Sequence, residues 1–291
     1  MAVFLLHGIV EQYVHGASAY RNYVAREAFE AYLRSRRVPF AGWSADGADG
    51  DVLTVDDATR AGADACLSAR RLGHEVMFFV NPYQIATGQP YCFSLLDAII
   101  DARSAASVAY RGEVYDLTGA AGVRQFRLAA RAALIVKPEP QAYADAVDLS
   151  ALLGATGAQV REHQRPISLA ELIALRDAGV RIENHGWSHV EIGSLADREF
   201  PEHVIGGREW LRRELSVEAT LYAVPFGSTD VPVRLQEWVA DGYFLASDRF
   251  PRGRLSPRCW NRKDLATEMR GLERLGAYLR ARNGRAPGTG A

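Results

Sequence analysis

Two short stretches hold the residue types that bind metal ions and move protons. Leu53-Thr54-Val55-Asp56-Asp57 is an apolar run ending in two adjacent carboxylates. Asn184-His185-Gly186-Trp187-Ser188-His189 sets two imidazoles four residues apart behind another short run. Carboxylate oxygen with imidazole nitrogen is a common borderline-to-hard donor set for a divalent ion. One or two Asp plus two His leave a coordination position open, and an open position is where hydrolytic chemistry takes place. Side chains alternate along a strand, so Asp56 and Asp57 are expected to point apart, one toward the ion and one toward the substrate. The carboxylate not bound to the ion can serve as a general base. The ordinary alternatives are an Asp capping a helix near Thr59 and a structural His pair. His-x-x-x-His usually sits on a helix, where i and i+4 share a face. Gly186 and the preceding strand predict a tight turn here instead.

Leu221-Tyr222-Ala223-Val224-Pro225-Phe226-Gly227 reads as a strand running into a Pro-aromatic-Gly turn. It is either an ordinary βα turn or one whose Phe226 N–H helps hold an oxyanion beside the ion. Asn81-Pro82-Tyr83-Gln84, Gly88-Gln89-Pro90-Tyr91 and Tyr110 are polar-aromatic loop residues. Rings stack on sugar faces and amides bond hydroxyls, so Asn81 and Tyr83 are candidates for substrate contact and Pro225 for its floor. The alternative is an ordinary packed cap.

The elements that must position these residues follow from hydrophobic periodicity, which alternates between strand and helix and predicts α/β with parallel strands. Strands are expected at Ala2–Ile9, Val52–Val55, Val76–Val80, Val180–Glu183, Thr220–Val224 and Tyr243–Ala246. Helices are expected at Ala19–Arg36 behind Ser18, Thr59–Leu72 before Gly73, Arg198–Leu215, Val231–Ala240 and Lys263–Arg282. Ser168-Leu169-Ala170-Glu171 is a capping box opening a helix to Asp177. From about 93 to 166 the alternation breaks into helices near Phe93–Ala106, Gly122–Val136 and Gln141–Leu153. A hairpin lies between them around Arg111-Gly112. This segment reads as an insertion in one domain spanning 1–285, followed by a disordered Gly/Pro tail at 286–291. In such folds the loops at the carboxyl ends of the strands carry the chemistry, and all three motifs fall there.

The chain has 291 residues, 48% of them hydrophobic and 24% charged, with net charge -1. That balance points away from nucleic acid and anionic membrane surfaces as partners. No run approaches the length of a membrane span. The opening residues read as a first strand, not a secretion signal, and Cys66, Cys92 and Cys259 form no CxxC pair, which predicts reduced thiols in a cytoplasmic protein. Oligomeric state is left open.

The motifs resemble those of the polysaccharide deacetylase superfamily (carbohydrate esterase family 4, the nodulation-factor deacetylase homology domain). That family carries Thr-Phe-Asp-Asp-Gly, then His-Ser/Thr-x-x-His, then Arg-x-Pro-Tyr/Phe-Gly along a distorted (β/α) barrel. Thr54, Asp56 and Asp57 match the first motif. His185, Ser188 and His189 match the second, and Pro225, Phe226 and Gly227 the third. Leu6-His7 and Met77-Phe78-Phe79-Val80 are similar to further family segments. The resemblance implies a distorted TIM-like barrel of about seven strands with a mainly helical insertion. It makes Asp56 the catalytic base, with Asp57, His185 and His189 as ligands of a divalent metal, Zn²⁺ first, with Co²⁺, Ni²⁺ or Mn²⁺ also fitting. It implies removal of an N-acetyl or other N-acyl group from a carbohydrate by a metal-bound water that Asp56 deprotonates. The substrate expected is a nucleotide-linked, lipid-linked or polymeric sugar of the O-antigen and envelope-polysaccharide branch.

Several residues depart from the family pattern. Ala58 replaces its Gly after the Asp pair. Ala223 stands where many members carry an Arg that pairs with the base, so something else must orient Asp56. No His follows His203, so the usual general acid is missing. Asp248, His7, His15 and His163 are the candidates for it, and His7 is also placed at the substrate. Arg258, in a Leu-Ser-Pro-Arg segment, is a candidate contact for an acidic sugar. These departures keep two other readings in view: a non-sugar amidohydrolase or deformylase, and a sugar-binding protein on a decayed enzyme scaffold.

Overall fold

The computed structural model describes residues 1–271 apart from 15, 21, 45–47, 228–234, 236–238, 240–241, 246–253 and 257–258. The chain opens with β1 (Val3–Leu6), β2 (Ile9–Val10), β3 (Val24–Ala25) and α1 (Arg26–Ser35). It continues through β4 (Val52–Asp56), α2 (Arg60–Arg71), β5 (Met77–Val80), α3 (Pro82–Thr87) and α4 (Cys92–Ala102). Then come the hairpin β6 (Ser107–Tyr110) and β7 (Glu113–Asp116), α5 (Ala120–Leu134) and α6 (Glu139–Leu152). Alternation resumes with α7 (Leu169–Asp177), β8 (Arg181–Asn184), α8 (Phe200–Leu215), β9 (Leu221–Ala223) and β10 (Gly242–Leu245). The chain ends in β11 (Arg254–Ser256), β12 (Cys259–Asn261) and β13 (Lys263–Asp264).

The main sheet runs β11-β12-β10-β9-β8-β5-β4-β1-β13. Every pairing in it is parallel except β11 on β12. β12 and β13 are separated only by Arg262. The first pairs with β10 and the second with β1, so the sheet curls back onto its first strand. The result is a nearly closed, distorted TIM-like barrel of eight parallel strands, two of them consecutive pieces of one stretch.

Strand alternation sorts the core into two layers. Val3, Val52, Met77, Phe79, Leu221, Ala223 and Phe244 fill the barrel with Trp43 and Trp260. The intervening residues, among them Phe4, Leu6, Leu53, Val55, Phe78 and Val80, pack outward under the helices. β4 and β5 are buried at every position, as parallel strands covered on both faces must be.

Helix starts follow local chemistry in two places. Thr59 Oγ1 accepts from Gly62 N at 3.2 Å, so Thr59 rather than an Asp caps α2. Ser168 and Glu171 form the reciprocal capping box of α7. The helix expected over 19–36 is shorter: Ser18–Tyr20 is a 3-10 turn, β3 follows, and α1 starts only at Arg26. The cause is tertiary. Asp101 of α4 accepts from Ser18 N at 2.9 Å and Ala19 N at 3.2 Å, which takes the donors a helix start would use. Residues 263–264 join the sheet where a helix was expected, and 265–271 are helical. The rest of that helix, most of the one expected at 231–240 and the tail lie outside the described residues.

The segment between β5 and α7 builds its own core from Leu96, Ile99, Ile100, Phe126, Leu134 and their neighbours. A buried Arg127–Asp97 pair joins α5 to α4. The segment also leans on the second motif, where Glu191 N donates to Ile135 O at 2.8 Å. Its packing places its inner wall beside the mouth of the barrel.

Candidate active site

β4 ends at Asp56, and the next residue turns sharply: Asp57 has φ +65. Only four non-glycine residues among those described have positive φ, and two of them, Asp57 and Phe226, are in this site. Such strain persists where surrounding structure over-determines it. The turn cancels strand alternation, and the expectation that the two carboxylates point apart is corrected. Asp56 Oδ2 lies 3.8 Å and Asp57 Oδ1 3.6 Å from the same atom, His185 Nε2. Ala58 costs nothing here because the left-handed residue is the one before it. Its N–H donates to Tyr91 Oη at 2.7 Å.

His185 follows β8 directly. Its N–H donates to Val80 O at 2.9 Å, and its Nδ1 lies 2.8 Å from Ala223 O. A carbonyl only accepts, so Nδ1 carries the proton and the Nε2 lone pair faces the aspartates. Gly186 has φ +85 and makes the turn. Asn184 locks it: Oδ1 accepts from Gly186 N at 2.9 Å, and Nδ2 donates to Val204 O on α8 at 2.7 Å. His189 then reaches back with Nε2 3.2 Å from Asp57 Oδ1. The motif is a loop and not a helix, as Gly186 indicated.

Donor atoms of Asp57, His185 and His189 lie within 4.8 Å of one another, and all three residues are buried. Asp57 Oδ1 is buried without a hydrogen bond although two imidazole nitrogens face it. Three converging lone-pair donors with no proton between them fit a divalent cation. Burial pushes Asp57 up, but His189 and His185 beside it hold the carboxyl well below the usual range. Burial pulls His189 down and keeps its ring neutral. Both states suit ligation.

Asp56 is oriented by a residue the sequence did not point to. Arg262, between β12 and β13, grips it with two hydrogen bonds, Nη1 to Oδ1 at 2.7 Å and Nη2 to Oδ2 at 2.6 Å. Nη1 also donates to Thr54 Oγ1 at 3.1 Å. Burial opposes ionisation of Asp56, but Arg262 outweighs it and the carboxyl stays below its ordinary value. This fork does the work expected of the arginine that Ala223 replaces. A buried Arg behind the apolar pair Cys259-Trp260 was the available signal.

Phe226, with φ 57, forms the tip of the Pro225–Gly227 turn. Its ring packs on His189 with centroids 4.3 Å apart, and the Arg131 guanidinium carbon sits 4.8 Å from its centre. Phe93 closes the other side, 5.1 Å from His189. Pro225 is buried beneath.

The remaining candidates scatter. Asn81 is fully buried: Nδ2 donates to His185 O at 2.6 Å and Gly186 O at 3.2 Å, and Oδ1 accepts from Tyr91 Oη at 3.0 Å. It holds the His loop and does not face a substrate, because its amide is already fully engaged. Tyr83 is half-buried and donates to Gln89 Oε1 at 3.1 Å. Tyr110 packs on Phe126 inside the insertion. His7, just past β1, is half-buried within electrostatic reach of Asp56 and Asp57. His163 packs between Tyr20 and Tyr23, with Nε2 3.0 Å from Ala19 O. Asp248, Arg258 and His15 lie outside the described residues. The three cysteines are free and buried.

Residues 146–241 match the family model for polysaccharide deacetylases. No curated protein matches the chain. Several solved structures share the fold, three of them as follows. The Streptococcus pyogenes deacetylase PplD, in complex with acetate, has TM-score 0.56 at 10% identity, covering 91% of both chains. A polysaccharide deacetylase from Bacillus cereus has TM-score 0.53 at 12% identity, covering 92% of this chain and 68% of that one. IcaB from Ammonifex degensii has TM-score 0.51 at 13% identity, covering 90% and 91%. Residues 146–241 are thus similar to polysaccharide deacetylases, and the fold is similar to that of solved deacetylase structures. Among the described residues no helix is long and apolar enough to cross a membrane.

Proposed function

We propose that this protein is a metal-dependent hydrolase that removes an N-acetyl or related N-acyl group from a sugar of a bacterial surface polysaccharide or its precursor. One observation carries the reading: a buried Asp57/His185/His189 cradle beside a carboxylate that a buried arginine holds ionised. Asp57, His185 and His189 would hold the ion, Zn²⁺ first. The chemistry a bound divalent ion supplies is polarisation of the acyl carbonyl and acidification of a neighbouring water. Asp56 accepts the proton of the attacking water, and Arg262 keeps Asp56 aimed and charged until it does. The Phe226 N–H, presented by its left-handed turn, donates to the oxygen on which charge develops. His7 and Tyr83 would be contacts for the sugar on this reading. The family match over residues 146–241 supports a carbohydrate substrate, and an O-antigen-type glycan or its precursor is the one we propose.

The test is metal content followed by a deacetylase screen. Purified wild type should carry about one transition metal per chain. His185→Ala and His189→Ala should lose it, and only metal-loaded wild type should release acetate from N-acetylated sugars. A wild type that binds no Zn²⁺, Co²⁺ or Ni²⁺ would sink the mechanism.

A further inference from the structure

The Asp loop after β4 and the His loop after β8 leave strands that are not neighbours, since β5 runs between them. Something must set the spacing of the two loops if their donor atoms are to meet around one ion. Tyr91, the N-cap residue of α4, lies between them and is 0% exposed. Its hydroxyl oxygen accepts from Ala58 N, the first amide after Asp57, at 2.7 Å. Asn81 Oδ1 is 3.0 Å away on the other side. The Asn81 amide can face only one way, because Nδ2 lies 2.6 Å from His185 O and 3.2 Å from Gly186 O, and a carbonyl only accepts. With Oδ1 turned to Tyr91 as an acceptor, the tyrosine donates its own proton there. The run from Ala58 N–H through Tyr91 O–H and Asn81 N–H to His185 C=O is therefore polarised in one direction from end to end. The ring makes a third contact, edge-on to His189 with centroids 5.7 Å apart.

We propose that Tyr91 is the positioning residue of the metal cradle: one hydroxyl and one ring set the backbone at Asp57, the backbone at His185 and the ring of His189 relative to one another. The proposal rests on the metal-dependent reading above. Two of the points it pins are sharp turns, Asp57 with φ +65 and Gly186 with φ +85. A left-handed residue other than glycine persists only where its surroundings over-determine it. The peptide after Asp57 is held at both ends, its carbonyl by Thr59 N at 2.8 Å and its amide by the Tyr91 hydroxyl. Without that hydroxyl, Ala58 N and Asn81 Oδ1 would lose their shared partner in a place closed to water. Leaving such groups unmet is costly, so the two loops would re-space. Tyr91 also starts the insertion, since its carbonyl accepts from Ser94 N at 3.0 Å and Leu95 N at 3.1 Å. The inserted segment thereby fixes the spacing of the two ligand loops.

Tyr91→Phe is the decisive variant, because it removes the hydroxyl and keeps the ring. Zinc affinity, measured by competition with a chelator of known strength, should fall about 10- to 100-fold. The visible absorption of the cobalt-loaded protein, which reports ligand geometry, should shift with it. Asn81→Ala breaks the same run from the other end and should weaken zinc binding too. The double variant should lose no more than the weaker-binding single, because either change alone already breaks the run. Leu96→Ala, in the core of the insertion, is the control for plain loss of stability. It should melt at least as early as Tyr91→Phe, yet keep zinc affinity within about threefold of wild type. An unchanged zinc affinity and cobalt spectrum in Tyr91→Phe, losses that multiply in the double variant, or an equal loss in Leu96→Ala overturns the proposal alone. A wild type that binds no zinc overturns the hydrolase reading and this proposal with it.

Discussion

Arg262 should be worth more to this protein than any single surface charge. Its side chain is 0% exposed and both its Nη atoms are committed to the two oxygens of Asp56. Removing one partner of such a pair strands the other charge without water or counter-ion, which costs about 3–5 kcal/mol. Arg262→Met should therefore lose about that much of a total stability on the order of 5–15 kcal/mol. Asp56→Asn/Arg262→Met removes both charges and should recover most of the loss, since apolar or neutral replacements of a buried pair are often near neutral. Arg262→Lys keeps the charge but not the two-pronged grip and should fall between. Urea unfolding of chelated protein, followed by circular dichroism, measures wild type, these three variants and the Asp56→Asn single, and chelation prevents a bound ion from compensating Asp56. The same variants should lose acyl hydrolysis, because Asp56 is no longer held. If the double variant is merely the sum of the singles, with coupling below about 0.5 kcal/mol, the reasoning is wrong.

Two further expectations follow from packing and burial. A Cβ on Gly207 would overlap Asn184 Oδ1 and approach Gly186 C to 3.2 Å. Gly207→Ala should thus cost about 1–3 kcal/mol despite the better helix former, and should weaken zinc binding by moving His185. Unchanged melting and zinc titration curves would count against that packing argument. Glu183, inside the barrel beside Arg181, is raised by burial from 4.5 to about 7. The folded state then binds the extra proton, so its contribution is greatest below the ordinary carboxylate range and is lost as pH rises through about 7. Relative to Glu183→Gln, wild type should lose about 2–3 kcal/mol between about pH 5 and pH 8. A flat difference between the two unfolding curves would refute it.

Local chemistry made much of the molecule legible. The apolar runs of β4 and β5, the capping box of α7 and the hairpin at Arg111-Gly112 depend on residues close together in the chain, so periodicity and turn chemistry find them. The three motifs stood at the ends of strands for the same reason, and residue type and spacing pointed to the Asp pair and the two His as candidate metal donors.

Contacts between distant segments were not legible. Whether a helix starts at Ala19 depended on Asp101, which lies 83 and 82 positions from the amides it takes. Asn81 looked like a sugar contact until the fold set it against the His185 carbonyl 104 residues away. The partner of Asp56 comes from 206 residues further along, because the barrel closes through the stretch that carries Arg262. The sequence by itself determined which atoms can bind a metal and that they follow strands of one parallel sheet. Tertiary structure decided that both carboxylates face one histidine and which arginine holds Asp56. Local propensities act over a turn or two of chain, whereas the geometry of a buried polar site is set by which distant groups packing forces together.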